Sequence, residues 1–296
     1  MLKTAQSVTQ SAACVHTVVI NLDRDKARLA TVSMEFAREG MAFERFVGVE
    51  GLDVPAALRT YFFGVDGRPA PTLTGGEIGC YASHLSLWRR VAAGQHPSPT
   101  LICEDDIRLP GNFRAVVDAA LAAAPQGWDV IRLSAPTKRT IWPVRRICDG
   151  HRLVHYSKIP TLLGAYLISK GGAEKLLKPG LRSHPVDVDM ARPWEIDLNL
   201  YGVDPAPVYQ PTRNLSSIDA VEQRRYARRA TGFFGIRSRL QGRDRFARYR
   251  HNTRIVGLYR AVTAEIYNLF RGCARRSAVA RAAHRPIPSP NEAFEA

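Results

Sequence analysis

A chain of 296 residues, 45% of them hydrophobic, is long enough to close a sizeable core, which excludes disorder throughout. No stretch reaches the about 20 consecutive apolar residues of a membrane-spanning helix, and residues 1–13, whose only charge is Lys3, do not read as a secretory signal. The net charge of +15 is concentrated: residues 221–296 hold 17 Arg, no Lys and five Asp or Glu, which leaves only +3 for the rest.

Residues 1–14 are polar and are expected to be flexible. Val15–Leu22 is a β-branched apolar run that predicts a buried strand. Residues 25–40 place Leu29, Val32, Met34 and Phe36 on a helix that Gly40 closes. Phe43–Val49 reads as the next strand, and this strand–helix–strand order predicts a parallel sheet with crossover helices. Residues 50–74 read as a loop. Gly76–Ala93 is the next helix, with Ile78, Tyr81, Leu85 and Trp88 at helical spacing and a Thr74/Glu77 capping box at its start.

Thr100–Cys103 is a short buried strand that runs directly into Glu104, Asp105 and Asp106. Asp129–Leu133 and Leu162–Ser169 repeat the strand pattern, the second followed by a helix over Gly171–Leu177. Past Pro211 the composition turns Arg-rich, so the expected division is one α/β domain over 15–220 and a mostly helical basic extension over 221–296. The five cysteines are scattered without a C-x-x-C pair, which argues against a disulfide framework or zinc knot and fits a reducing cytoplasm.

Two clusters carry chemistry. Three consecutive carboxylates repel one another and are costly at a sheet edge unless a cation offsets them; such hard oxygen donors suit Mn²⁺ or Mg²⁺. Ligands in open α/β sheets gather at the carboxyl ends of strands, where Glu104–Asp106 falls. A solvated acidic turn is the plainer alternative. In the helix that follows Thr74, Glu77 and His84 lie two turns apart on one face, and the glycine-rich start offers N–H groups to a phosphate. The plainer alternative there is a capped core helix.

Taken together, NLDRDKAR, then LTGGEIGCYASHLSLW, then LICEDDIRL resemble glycosyltransferase family 25, the lipopolysaccharide and lipooligosaccharide sugar transferases related to collagen galactosyltransferases. Trp128–Leu133, Gly164–Ser169 and Pro185-Val186-Asp187 extend the resemblance across roughly residues 15–220. Cys103 stands where many relatives carry Leu.

The resemblance implies a GT-A-like, Rossmann-like domain that binds a nucleotide sugar, with UDP-galactose as the leading donor and inversion at the transferred carbon. It implies that Glu104 and Asp106 hold the metal, Asp106 most directly, with Glu104 or Asp105 toward water or ribose. Asn21, Leu22, Arg28, Glu77, Ser83 and His84 are expected around the nucleotide. For Arg28 an exposed helix charge is the alternative, and for His84 a buried hydrogen-bonded position without substrate contact. Asp187 and Asp189 are candidates for the general base, Asp187 preferred because it falls in the family's P-[VI]-D motif; the two would share one face if that segment were extended, with Asp197 and His184 behind them.

Arg245–Arg271 interleaves Arg with Phe246, Tyr249, Ile255, Leu258, Tyr259, Ile266, Tyr267, Leu269 and Phe270. That mixture suits a helix on an anionic membrane surface, consistent with a lipid-linked glycan acceptor at the cytoplasmic face of an inner membrane. The same stripe could instead pack on the domain. A pI of about 10.1 also raises nucleic-acid binding, but the basicity lies outside the patterned domain and no base-reading module is present, so no specific nucleic acid is expected.

Overall fold

The computed structural model describes residues 15–134, 136–137, 139–211 and 234–283, with side chains of the last stretch described for 244–270. The flexibility expected of residues 1–14 and the boundary near residue 220 lie outside the described residues.

Strand β1 (His16–Asn21) leads through helix α1 (Lys26–Arg38) to β2 (Glu44–Val47), and α2 (Gly75–Ala92) leads to β3 (Thr100–Glu104). Helix α3 (Phe113–Ala123) precedes β4 (Val130–Arg132), followed by the hairpin of β5 (Ile141–Arg146) and β6 (Arg152–Tyr156). Then come β7 (Ala165–Ile168), α4 (Lys170–Leu176), α5 (Val186–Met190) and β8 (Leu200–Asp204). The eight strands form one sheet in the order β2-β1-β3-β7-β4-β8-β6-β5. As the opening strand–helix–strand order predicts, β1 is parallel to β2 and β3. The rest is mixed: β7 runs antiparallel between β3 and β4, and β6 runs antiparallel to β5 and β8.

The central strands are apolar on both faces, so both faces need cover. Val18, Ile102, Tyr166 and Ile168 join a core with Ile78, Tyr81, Leu85 and Trp88 of α2 and with residues of α4 and α5. Their neighbours Val19, Leu101, Cys103 and Leu167 join a second core with Val32 and Phe36 of α1 and Phe113 and Val117 of α3. Period-2 alternation therefore feeds two cores, and each large apolar side chain withdrawn from water contributes about 1.5–3 kcal/mol.

Strand register fixes what meets at the carboxyl edge. Ile20 pairs with Glu104 across β1 and β3, so Asn21 and Asp105 follow side by side. Cys103 pairs with Ala165 of antiparallel β7, which sets Gly164 opposite Glu104; the Glu104 N–H donates to the Gly164 carbonyl at 2.8 Å.

The described residues of the basic extension form two helices, Phe234–Val256 and Leu258–Ala283, joined at Gly257, whose φ of +82° suits glycine. They dock beside the β5–β6 hairpin. Asn252 Nδ2 donates to the Ser157 carbonyl and Asn268 Nδ2 to Ser157 Oγ, each at 3.0 Å, while Asn268 Oδ1 accepts from the Thr140 N–H at 3.1 Å. The buried face is made of Asn252, Ala261, Ala264 and Asn268, not of the large apolar residues. Phe246, Leu258, Tyr259, Ile266, Leu269 and Phe270 are all exposed. Among the described residues, no helix is long and apolar enough to cross a membrane.

Candidate active site

The acidic triplet splits at the end of β3. Asp105 is buried; its Oδ2 accepts from Asn21 Nδ2 at 2.6 Å and its Oδ1 lies 3.5 Å from Arg28 Nη1. Burial pushes the Asp105 carboxyl above the usual aspartate value, against the smaller opposing pull of Asn21 and Arg28. Asn21 is itself held, giving Nδ2 to the Asp25 carbonyl at 3.1 Å and taking Arg45 Nε at 3.0 Å. The middle carboxylate thus ties β1 and α1 to β3.

Glu104 and Asp106 face a common point. Gln210 Nε2 donates to Glu104 Oε2 at 3.0 Å and to Asp106 Oδ1 at 2.9 Å. Burial, then the neighbouring Glu104 charge, raise the Asp106 carboxyl above its usual range. Gln210 is packed against Gly164, where a Cβ would come within 2.5 Å of its amide carbon, so only glycine leaves room for it here.

Helix α2 delivers the next residues. The predicted capping box is present: Thr74 N–H donates to Glu77 Oε2 at 2.8 Å and Glu77 N–H to Thr74 Oγ1 at 3.2 Å. Glu77 therefore starts the helix. Ser83 Oγ accepts from the Val49 N–H and donates to the Gly79 carbonyl, both at 2.8 Å, bracing the loop after β2. Gly79 permits that loop to approach, since a Cβ there would meet the Val49 carbonyl at 2.6 Å. Leu22, at the exit of β1, is half-buried, and its carbonyl takes the Asp25 N–H at 3.0 Å.

His84 is buried, and its Nδ1 lies 2.9 Å from the Tyr166 hydroxyl, which also accepts from Trp88 Nε1 at 2.8 Å. His84 Nε2 stands 3.8 Å from Glu104 Oε1 and has no hydrogen-bond partner. The tautomer is set by Tyr166. If the hydroxyl donates to Nδ1, Nε2 carries the proton toward Glu104; if it accepts from Nδ1–H, the Nε2 lone pair is open to a cation. Cys80, one helical turn before His84, completes a group in which one ligand atom each of Cys80, His84 and Glu104 lies within 4.8 Å of the others. Burial and the surrounding carboxylates, Glu104 first, hold the Cys80 thiol protonated.

Four polar atoms buried without partners fall at this edge: His84 Nε2, Gln210 Oε1, and Arg132 Nε and Nη1. Arg132 ends β4, fully buried, with Nη2 donating to the Leu162 carbonyl. The carboxylate oxygens of Glu104 and Asp106 with the His84 imidazole nitrogen near Glu104 make a donor set that fits Mn²⁺ well and Mg²⁺ less closely, whereas Gln210 turns its amide N–H, not its oxygen, toward the carboxylates. A cleft of about 450 Å³ adjoins it, lined in part by Arg139, Lys158, Thr161, Leu162, Tyr209 and Gln210. A second concavity, about 400 Å³, belongs to the β5–β6 turn, Arg146–Arg152, and holds none of the candidate residues.

Asp187 and Asp189 lie on the short helix α5, so the extended spacing that would set them on one face does not occur. Asp187 Oδ2 accepts from the N–H of Leu162, a cleft residue, at 3.1 Å. Asp189 instead accepts from the Tyr81 hydroxyl at 2.9 Å and lies 3.2 Å from His184 Nδ1. Asp197 adopts a φ of +51°, and its carbonyl accepts from Lys175 Nζ at 2.8 Å.

Sequence reasoning did not single out Cys80, Arg132, Tyr166 or Gln210. Arg132 had a signal, a cation inside the apolar run DVIRL, and Cys80 had one in its four-residue spacing from His84. Gln210 had none, because it reaches Glu104 from 106 residues away.

A family model described as glycosyltransferase family 25 (LPS biosynthesis protein) matches residues 15–191. The chain is 29% identical over 191 residues to a "Glycosyltransferase 25 family member" of Anopheles gambiae, covering 62% of this chain and 32% of that protein. It is 35% identical over 125 residues to the "Inactive glycosyltransferase 25 family member 3" of Homo sapiens, covering 39% and 20%. It is 28% identical over 161 residues to "Procollagen galactosyltransferase 1" of Danio rerio, covering 48% and 26%. The alignments span less than a third of the length of each of these three relatives.

Proposed function

Because the chain belongs to glycosyltransferase family 25, we propose that it transfers a hexose, galactose foremost, from a UDP-sugar to a hydroxyl of lipopolysaccharide, lipooligosaccharide or another surface glycan, with inversion and with a divalent metal. The observation that carries this reading is the convergence of Glu104 and Asp106 on one point, with the unpartnered His84 Nε2 near Glu104 and a cleft that Gln210 also lines alongside. The galactose preference leans on the procollagen galactosyltransferase likeness, and the acceptor class on the description of the family.

Glu104 and Asp106 would hold Mn²⁺ or Mg²⁺ in place of the Gln210 amide N–H that bridges them, with His84 within reach. The ion would supply charge neutralisation for the departing diphosphate without a proton transfer. We assign the nucleotide to the β1 side of the site, where Asn21, Leu22, Arg28 and Asp105 lie at the end of β1 and β3. Arg139 and Lys158 bring positive charge to the cleft, and Arg132, buried behind the cleft residue Leu162 whose carbonyl it holds, adds further positive charge beneath it.

Asp187 is the proposed base. Among the described residues its carboxylate takes one hydrogen bond, from Leu162 N–H, whereas Asp189 is engaged by Tyr81 and His184. It would take the acceptor hydroxyl proton as that oxygen bonds to the anomeric carbon and the bond to UDP breaks.

The exposed Phe246, Leu258, Tyr259, Ile266, Leu269 and Phe270, on helices that also carry Arg, support docking on an anionic membrane surface at the cytoplasmic face, where a lipid-linked acceptor would be met. Flotation with vesicles containing anionic lipid tests this. Equal recovery with neutral vesicles, or none with either, ends the idea.

The catalytic reading is tested by binding and hydrolysis of a UDP-sugar panel with and without Mn²⁺, on the wild type and Asp106→Ala. One sugar engaged only with metal, and lost in the variant, supports it and names the donor. No engagement under any metal condition leaves an inactive relative whose basic tail binds membrane or, without sequence preference, nucleic acid.

A further inference from the structure

The opposite end of the sheet carries a second group of metal-competent side chains. Residues i and i+2 of a strand share a face, so His16 lies on the face of Val18, and Val18 pairs with Glu44 in the parallel β1–β2 ladder. Pairing alone thus brings His16 and Glu44 together at the start of both strands. His96 joins them from the loop between α2 and β3, its backbone N–H fixed to the Arg90 carbonyl at 3.2 Å. Five residues of β1, roughly 16 Å, separate this end from Asn21 and the carboxylate edge.

We propose that His16, Glu44 and His96 bind a divalent transition-metal ion of the zinc class. Glu44 Oε2 lies 3.5 Å from His16 Nε2 and 3.5 Å from His96 Nε2, and one ligand atom from each residue lies within 4.8 Å of the others. A tetrahedral zinc with bonds of about 2.0–2.1 Å separates its ligand atoms by about 3.3 Å, so two of the three edges are already near their bound length. Two imidazoles and one carboxylate leave a fourth position for water, and the partial exposure of Glu44 gives an ion access.

Two features point to a ligand. His16 Nε2 is buried beside a carboxylate oxygen yet makes no hydrogen bond, and the imidazoles meet edge-to-face with centroids 4.8 Å apart instead of pairing through their nitrogens. Arg90 Nη1 lies 3.3 Å from Glu44 Oε1, the other oxygen, which leaves Oε2 to the imidazoles. That cation opposes an incoming ion, but it is engaged by Oε1 and by the Phe46 ring, 5.0 Å from its guanidinium carbon. A bound ion would pin β1, β2 and the α2–β3 loop at the root of the strands that present Asn21 and Glu104.

The experiment is zinc titration of the untagged, chelator-stripped full chain by calorimetry, with melting temperature followed in parallel. Wild type is compared with Glu44→Gln, His16→Asn and Cys80→Ser. Glu44 is the exposed member of the set, so its variant is the one expected to fold unchanged. The expected result is that Glu44→Gln and His16→Asn each bind one zinc equivalent fewer than wild type, while Cys80→Ser retains the equivalent they lose. The zinc-induced rise in melting temperature should shrink with that lost equivalent. Equal stoichiometry in wild type and Glu44→Gln, or no zinc uptake by wild type, overturns the proposal.

Discussion

Asn21 donates its amide to Asp105 across 2.6 Å, joining the carboxyl ends of two central parallel strands that lie 84 residues apart in sequence. The middle member of an acidic triplet is thereby committed to the fold, and the outer two are left to face Gln210. The arrangement follows from register, since Ile20 and Glu104 are paired neighbours immediately before them. Burial has lifted the carboxyls of both Asp105 and Asp106, so this edge holds negative charge against the preference of its surroundings.

Asp106→Asn should relieve that opposition. In the absence of metal the variant is expected to be more stable than wild type by about 1 kcal/mol, the size typical when a functional site gives up a strained charge. Mn²⁺ should raise the melting temperature of wild type and leave that of the variant nearly unmoved. Transfer activity should fall at the same time. A variant less stable than wild type in metal-free buffer would show that the Gln210 bridge outweighs the repulsion from Glu104.

Tyr166→Phe tests the buried chain under the site. The hydroxyl is the acceptor for Trp88 Nε1 and the partner of His84 Nδ1, and all three side chains are buried. Removing it strands an indole N–H and an imidazole nitrogen, each costing about 1–3 kcal/mol, so a loss of about 2–6 kcal/mol is expected in chemical denaturation. Loss of less than 1 kcal/mol would mean that water replaces the hydroxyl. Activity should drop beyond the stability loss, because His84 would no longer be held in one tautomer beside Glu104.

Two glycines at the site should respond differently. In Gly79→Ala the new methyl meets backbone, the Val49 carbonyl at 2.6 Å and the Gly51 N–H at 2.8 Å, so the loop after β2 must shift; a loss of about 1–3 kcal/mol is expected. In Gly164→Ala the methyl meets only the end of the Gln210 side chain, which can swing aside. Stability should change little there, while Mn²⁺ affinity changes because the amide no longer bridges Glu104 and Asp106. Equal destabilisation by the two changes would contradict this distinction.

These contrasts mark what the sequence could and could not disclose. The strand before Glu104 and the capping box at Thr74 were legible, because local periodicity and spacing encode them. The direction of β7 was not: Ala165–Ile168 is apolar on both faces, and such a run does not record which way it is threaded. Helix α3, the β5–β6 hairpin and β8 were passed over entirely. Only the motif favours Asp187 over Asp189, and their period-2 spacing would share a face in an extended stretch, but a five-residue helix separates their partners. Gln210 and His96 reach their clusters through tertiary packing alone. In the extension, the alternation of Arg and apolar residues could not say which face would dock, and the docked face proved to be Asn and Ala.

That docked extension should loosen in mild acid. His251 on the first tail helix stacks near Trp194, with centroids 6.0 Å apart, and His155 on β6 stacks near Tyr201 at 4.6 Å. Burial lowers both imidazoles below the usual histidine value, and for His251 the proximity of His155 lowers it further. A histidine whose folded value is depressed binds fewer protons in the native state than when unfolded. Its contribution is therefore intact above the unfolded value of about 6.5 and is lost as pH falls below it toward the folded value. Protection of the amides across Asp244–Phe270, taken against their intrinsic exchange rate at each pH, should accordingly fall between about pH 6.5 and 5, while protection in β1 and β3 holds. His251→Phe, which keeps a ring against Trp194 without a titrating nitrogen, should flatten that response. If the variant retains the full acid response, His251 does not set the docking, and the ion pair of Arg192 with Asp244 at 2.8 Å becomes the group to examine.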